Sequence, residues 1–81
     1  MSRVMNATAM GFISIVEAYP DLYTLVKIIE INHENGNAIG IALYTATSHE
    51  ELSAYAKKEG ITNETIILQG ENLVPMIGGL L

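Results

Sequence analysis

The sequence predicts an α+β fold, a single small domain in which one antiparallel sheet carries one helix on one face. Three observations predict this class. Helix start and stop signals lie between residues 47 and 61, an Asn35-Gly36 turn separates two β-branched segments, and a further strand-like run follows at residues 64–69. The length of 81 residues allows one domain, residues 1–81.

The first twenty residues are compatible with two structures. Residues 1–11 are expected to be disordered or helical. The alternation from Phe12 to Glu17 favours a strand, and Tyr19-Pro20-Asp21-Leu22 predicts a turn with proline at its second position. A helix remains the alternative, because several apolar residues have helical spacing: Met5, Ala9, Phe12, Val16 and Tyr19.

A β-hairpin is centred on Asn35-Gly36, a strong turn signal because both positions favour a positive φ. It joins predicted strands at residues 24–31 and 38–45 and pairs Ile31 with Gly40. Gly40 is expected to let an aromatic ring or another backbone segment approach closely. In this register Leu25, Ile29 and Ile31 share one face. The opposite face holds Val26, Ile28, Ile39, Ile41 and Leu43.

The helix is predicted over residues 49–59. Ser48 and Glu51 match a capping box, in which each side chain satisfies the other residue's backbone N–H. Acidic residues in the first turn and lysines in the last suit the helix dipole. Gly60 then fits the left-handed position that ends a helix.

The C-terminal part predicts a strand at residues 64–69 and a tight turn at Gly70-Glu71. A short strand at residues 73–77 would follow at the sheet edge, because Pro75 cannot donate to a ladder. Residues 78–81 are expected to form a flexible tail. The complete order is β-β-β-α-β-β, with a helix as the alternative for the first element.

The composition excludes several classes of protein. Nine acidic residues against four basic ones give a formal net charge of −5. This argues against a nucleic-acid partner, whose binding requires lysine and arginine to neutralise phosphates. The absence of cysteine rules out disulfides and thiolate metal sites. No stretch reaches the roughly 18 apolar residues of a membrane helix. A poor signal-peptide pattern and the lack of cysteine predict a cytoplasmic protein without a membrane partner.

The hydrophobic content points to an interaction surface. Apolar residues make up 49% of the chain, and the hairpin is apolar on both faces while the predicted helix covers only one of them. The second face therefore needs a cover, either the N-terminal segment or another chain, and a homodimer is the commonest such solution. The candidate interface residues are Tyr19, Tyr23, Val26, Ile28, Ile39, Ile41 and Leu43.

The sequence predicts no catalytic residue, no metal site and no cofactor. His33-Glu34 and His49-Glu50 suggest a small-ligand or metal-binding domain as an alternative. They lack a known ligand spacing, and the predicted hairpin separates them by on the order of 25 Å. No serine has the context of a nucleophile. The leading hypothesis is a non-enzymatic protein-interaction module that self-associates or binds a larger protein partner.

The order of elements from Phe12 to Ile77, in a short acidic chain without a catalytic group, resembles that of some small phage-encoded inhibitors of bacterial CRISPR immunity. It is equally similar to that of many small bacterial domains without an assigned function. The resemblance implies, as an alternative function, a mobile-element inhibitor that blocks a host defence complex. It rests on no motif, so it assigns no residue a role.

Overall fold

A long two-stranded hairpin forms the centre of the fold. The structure, a computed structural model, describes residues 1–5, 7–32 and 37–73. Its strands are β1 (Ser2–Arg3), β2 (Ala9–Gly11), β3 (Tyr23–Asn32), β4 (Asn37–Ala46) and β5 (Thr65–Gln69). Its helices are α1 (Phe12–Ala18) and α2 (His49–Glu59), with a 3₁₀ turn at Thr62–Glu64.

All strand pairs are antiparallel. β3 lies between β4 and β5, and the other edge of β4 is paired by β1 near one end and by β2 near the other. The predicted α+β class, the hairpin strands, the helix at 49–59 and the strand that ends at Gln69 are confirmed. The first and last parts of the chain differ from prediction.

The N-terminal segment forms a helix where the alternation favoured a strand. The strand prediction for Phe12 to Glu17 is therefore wrong, and the helical alternative is correct for this segment but not for Met5 and Ala9, which lie outside the helix. Phe12, Ile15 and Tyr19 lie on one side of α1 and contact the sheet, and Ile15 is completely buried. Residues 1–11 are also not simply disordered or helical, since they contain β1 and β2.

Two helices cover opposite faces of the sheet, where one was predicted on one face. On the first face, Leu52 and Ala56 of α2 pack against Leu25 and Ala46. On the second, Ile15 of α1 packs in one cluster with strand residues that include Val26 and Ala42. The cover that the apolar composition required therefore comes, over part of the second face, from the N-terminal segment of the same chain.

The hairpin register differs from the predicted one. Gly40 pairs with Ile28, so the predicted partner Ile31 is wrong. Four residues, 33–36, separate the paired Asn32 and Asn37, and the predicted Asn35-Gly36 turn lies outside the described residues. The ladder is also irregular at two places, where Leu43 in β4 and Ile29 in β3 have no partner of their own.

These irregularities separate residues that were predicted to share a face. Val26 pairs with Ala42 and Ile28 with Gly40, so all four point towards α1. By alternation along β4, Ile39 and Ile41 point to the opposite face, the face of α2. The predicted common face is thus divided between the two sides of the sheet.

The start of α2 uses a different contact from the predicted capping box. Ser48 occupies the N-cap position but makes no side-chain capping bond. The Glu51 carboxylate lies instead 2.7 Å from the amino group of Met1. The helix end agrees with prediction, since Gly60 has φ of 70° and its N–H donates to the carbonyl of Lys57. The N–H of Ile61 reaches the Ala56 carbonyl, which completes a Schellman motif.

The chain after β5 is joined to the turn at Pro20. The predicted turn at Tyr19 to Leu22 is closed by a bond from the Leu22 N–H to the Tyr19 carbonyl. A second turn, from Gly70 to Leu73, lies one residue later than predicted. Gly70 is needed for space, because a Cβ there would lie 2.5 Å from the carbonyl oxygens of Tyr19 and Pro20. Residues 74–81, with most of the predicted last strand and the tail, lie outside the described residues.

Candidate interaction surfaces

The seven residues predicted for an interface occupy different environments. Val26 is completely buried under α1 and offers no surface to a partner. Ile39 is 37% exposed. The others are half-buried: Tyr19, Tyr23, Ile28, Ile41 and Leu43. The sheet does not bring these residues together as one surface, because the register divides them between its two faces.

Exposed isoleucines nevertheless lie at the outer half of the hairpin, on both faces of the sheet. We define the hairpin patch as Ile13, Ile29, Ile31 and Ile39. Ile13, on the outer side of α1, is 70% exposed, and the two β3 isoleucines are about half exposed. A cavity of about 310 Å³ joins Ile13 to Ile39 across Phe12 and Ala38. The sequence prediction identified only Ile39 of these four.

The lengths of the elements explain why this surface is uncovered. A strand of ten residues spans about 33 Å, while α2, with eleven residues, spans about 16 Å and α1, with seven, about 10 Å. Each helix can therefore cover only part of the hairpin. The inner half is buried, and isoleucines on both faces of the outer half remain in contact with solvent.

A cavity with a mixed polar and apolar lining lies at the C-terminal end of α2. It has a volume of about 340 Å³, and its lining includes Lys27, Leu43, Glu64 and Thr65. The Thr65 hydroxyl donates to the carbonyl of Ile61, which fixes the start of β5 against the helix end. Lys27 and Glu64 are both exposed.

The histidines predicted as alternative ligands are not brought into a common site within the described residues. His33 and Glu34 lie outside them. His49 packs edge-on against Tyr23, with ring centroids 5.9 Å apart. Among the described residues, no group of three histidine, aspartate or glutamate side chains is placed to bind a metal ion. In the same part of the chain, no helix is long and apolar enough to cross a membrane.

A pair of tyrosines joins α2 to β4. The Tyr55 hydroxyl donates a hydrogen bond of 3.2 Å to the Tyr44 hydroxyl, and the ring centroids lie 4.7 Å apart. This bond raises the pKa of Tyr55 from 10 to about 12, with burial and the nearby Tyr44 and Glu59 acting in the same direction. The hydrogen bond requires the protonated form of Tyr55 and links its side chain on α2 to Tyr44 on β4.

The raised pKa of Tyr55 predicts a loss of stability in alkali. Because the folded-state pKa lies above the unfolded value, the contribution is complete below about pH 10 and disappears as the pH rises towards 12. Near-ultraviolet absorbance should show one tyrosine titrating later than ordinary tyrosines. Tyr55→Phe should remove this late step and make the free energy of unfolding less dependent on pH in that range. An unchanged titration curve would contradict the assignment.

Comparison with known proteins gives no relative. No family model, no curated protein and no solved structure matches the chain.

Proposed function

We propose that this chain is a non-enzymatic protein-interaction module that self-associates. We propose further that it binds a larger protein partner, and that the hairpin patch is the surface that contacts this partner. The observation that supports this most directly is the exposure of Ile29, Ile31 and Ile39 at the outer half of the hairpin, together with that of Ile13 on α1. Exposed clusters of large apolar side chains commonly mark interaction surfaces. A cytoplasmic location, suggested by a chain of 81 residues without cysteine, is part of the proposal.

The charge of the chain indicates what kind of surface fits the patch. Glu30 is exposed between Ile29 and Ile31, and the whole chain carries a net charge of −5. A complementary partner presents an apolar surface with lysine or arginine at its rim, because such a rim attracts the acidic module during encounter. Binding should accordingly become weaker as the salt concentration rises.

The proposal is tested by comparing partners of the wild-type chain and of Ile31→Asp in lysate of the source organism. Met5→Asp is the matched control, since Met5 is 75% exposed and lies outside the hairpin patch. Circular dichroism should show that both variants remain folded. A protein retained by the wild type and the control, but lost with Ile31→Asp, is then purified and titrated calorimetrically.

We expect Ile31→Asp to weaken that binding at least about tenfold, since a carboxylate placed in a desolvated apolar contact has no partner charge. The control should bind as the wild type does. If the wild type and Ile31→Asp retain the same proteins with the same affinity, the hairpin patch is not the partner surface.

A further inference from the structure

β5 is an edge strand without the features that usually protect an edge from pairing. It pairs with β3 over five residues without any irregularity, and within the described residues its other edge has no partner. Edge strands of natural proteins commonly carry a lysine, a proline, an inward charge or a bulge. The sequence of β5, Thr-Ile-Ile-Leu-Gln, contains no charge and no proline.

The direction of the backbone groups of β5 follows from one hydrogen bond. The N–H of Gly70 donates to the carbonyl of Leu22, at 2.9 Å, in line with the β3–β5 ladder. Groups that point to one neighbour alternate along an antiparallel strand. Ile66 and Leu68 therefore point their N–H and C=O groups towards β3, and the remaining residues, Thr65, Ile67 and Gln69, point theirs to the open edge.

This outward pattern is symmetric about Ile67. A two-fold axis beside Ile67 would pair it with Ile67 of a second copy and Thr65 with Gln69 of that copy. Three such pairs with two bonds each give about six backbone hydrogen bonds. Ile66, which is 39% exposed, would then lie opposite Leu68 of the other copy on the α1 face. Apolar side chains meet apolar ones, and no charged residue lies within the paired segments.

We propose that two copies of this chain associate by antiparallel pairing of β5 with β5, which joins their sheets into one continuous sheet. The inference rests on the self-association included in the proposed function and names its surface. The hairpin patch is on β3, β4 and α1 and stays available, so the dimer presents two patches to a partner.

The test uses Gln69→Pro with Gln69→Ala as its matched control. Proline removes the outward N–H of residue 69 and places its ring at the open edge, while the groups that pair with β3 are on neighbouring residues. Both variants lose the exposed hydrogen bond from the Gln69 side chain to the Leu73 carbonyl. They differ from each other because alanine keeps the backbone N–H of residue 69, whereas proline replaces it with a ring. Sedimentation equilibrium measures the mass, and amide hydrogen exchange measures protection at single residues.

The wild type and Gln69→Ala should have twice the mass of the 8.8 kDa chain, with slow exchange at both Ile67 and Leu68. Gln69→Pro should be a monomer at the same concentration, with fast exchange at Ile67 and slow exchange at Leu68, which shows that β5 stays paired with β3. A dimer that survives Gln69→Pro overturns edge pairing but leaves self-association intact. A wild type that is a monomer at every concentration overturns both edge pairing and self-association. Slow exchange of the Ile67 amide in monomeric Gln69→Pro overturns edge pairing, because it shows that the amide is protected without a second copy.

Discussion

Replacing Ile15 with alanine is expected to lower the free energy of unfolding by about 2–5 kcal/mol, the usual range for truncating a fully buried isoleucine. Ile15 has no exposed surface and is the fully buried residue of α1, packed with Val26 and Ala42. An 81-residue domain has a total stability of roughly 4–12 kcal/mol, so this change removes a large share of it. Urea unfolding followed by circular dichroism gives the value.

Ile13→Ala is the matched control, because it removes the same atoms from the same helix. Ile13 is 70% exposed, so its loss should change the free energy of unfolding by less than about 0.5 kcal/mol. A small effect from Ile15→Ala, or equal effects from the two variants, would mean that α1 does not cover this face of the sheet. The comparison therefore tests whether residues 12–18 form a helix that packs on the sheet.

Gly40→Ala is expected to destabilise the protein by about 1–3 kcal/mol, although alanine normally fits a strand better than glycine. A Cβ at residue 40 would lie 2.4 Å from Val26 Cγ1, 2.7 Å from the Lys27 carbonyl oxygen and 3.0 Å from Phe12 Cε1. The carbonyl belongs to the paired strand and cannot move without disturbing the ladder. Strand propensity thus predicts a higher free energy of unfolding for Gly40→Ala, whereas packing predicts a lower one. Urea unfolding followed by circular dichroism distinguishes the two.

Gly11→Ala serves as a comparison within the same fold. The nearest atom to a Cβ at Gly11 is 3.9 Å away, an ordinary contact distance, so no clash is expected. Gly11 is the N-cap of α1, where alanine is less favourable, and a cost under about 1 kcal/mol is expected. If Gly40→Ala is as stable as the wild type, then β3 and Phe12 do not approach Gly40 as closely as described.

Local signals made α2 the most predictable element. Its boundaries follow from Ser48 and Gly60, whose effects reach only a few residues along the chain. The capping bond itself was not predictable, because Glu51 pairs with the amino group of Met1, and their proximity depends on the whole fold. β1 and β2 have two and three residues, which is too short for a periodic pattern to indicate a strand.

The faces of the hairpin were predicted less well than its strands. A period of two assigns faces correctly only while the register is regular, and a one-residue change reverses the assignment. Leu43 and Ile29 are the extra residues that cause these changes. Neither is a glycine or proline, so the sequence gives no local indication of the irregularity.

The hairpin patch was only partly predictable. The excess of apolar residues correctly indicated that something besides α2 had to cover the sheet. Ile29 and Ile31 were assigned to the same face as Leu25, but the irregularity at Ile29 places Ile31, which pairs with Ala38, on the α1 face. Ile13 was missed because its exposure depends on the orientation of α1, which the ambiguous pattern around Phe12 did not fix.

The junction between β5 and the Pro20 turn also affects the order in which the protein folds. The side chain of Asn72 bonds that of Asp21, 51 positions away in the sequence. Closing a loop of this length costs about 2 kcal/mol more chain entropy than closing the short hairpin loop. The hairpin and α2 can therefore form from neighbouring residues, while β5 pairs with a strand about 40 positions earlier in the chain. We expect this late closure to set the pace of folding.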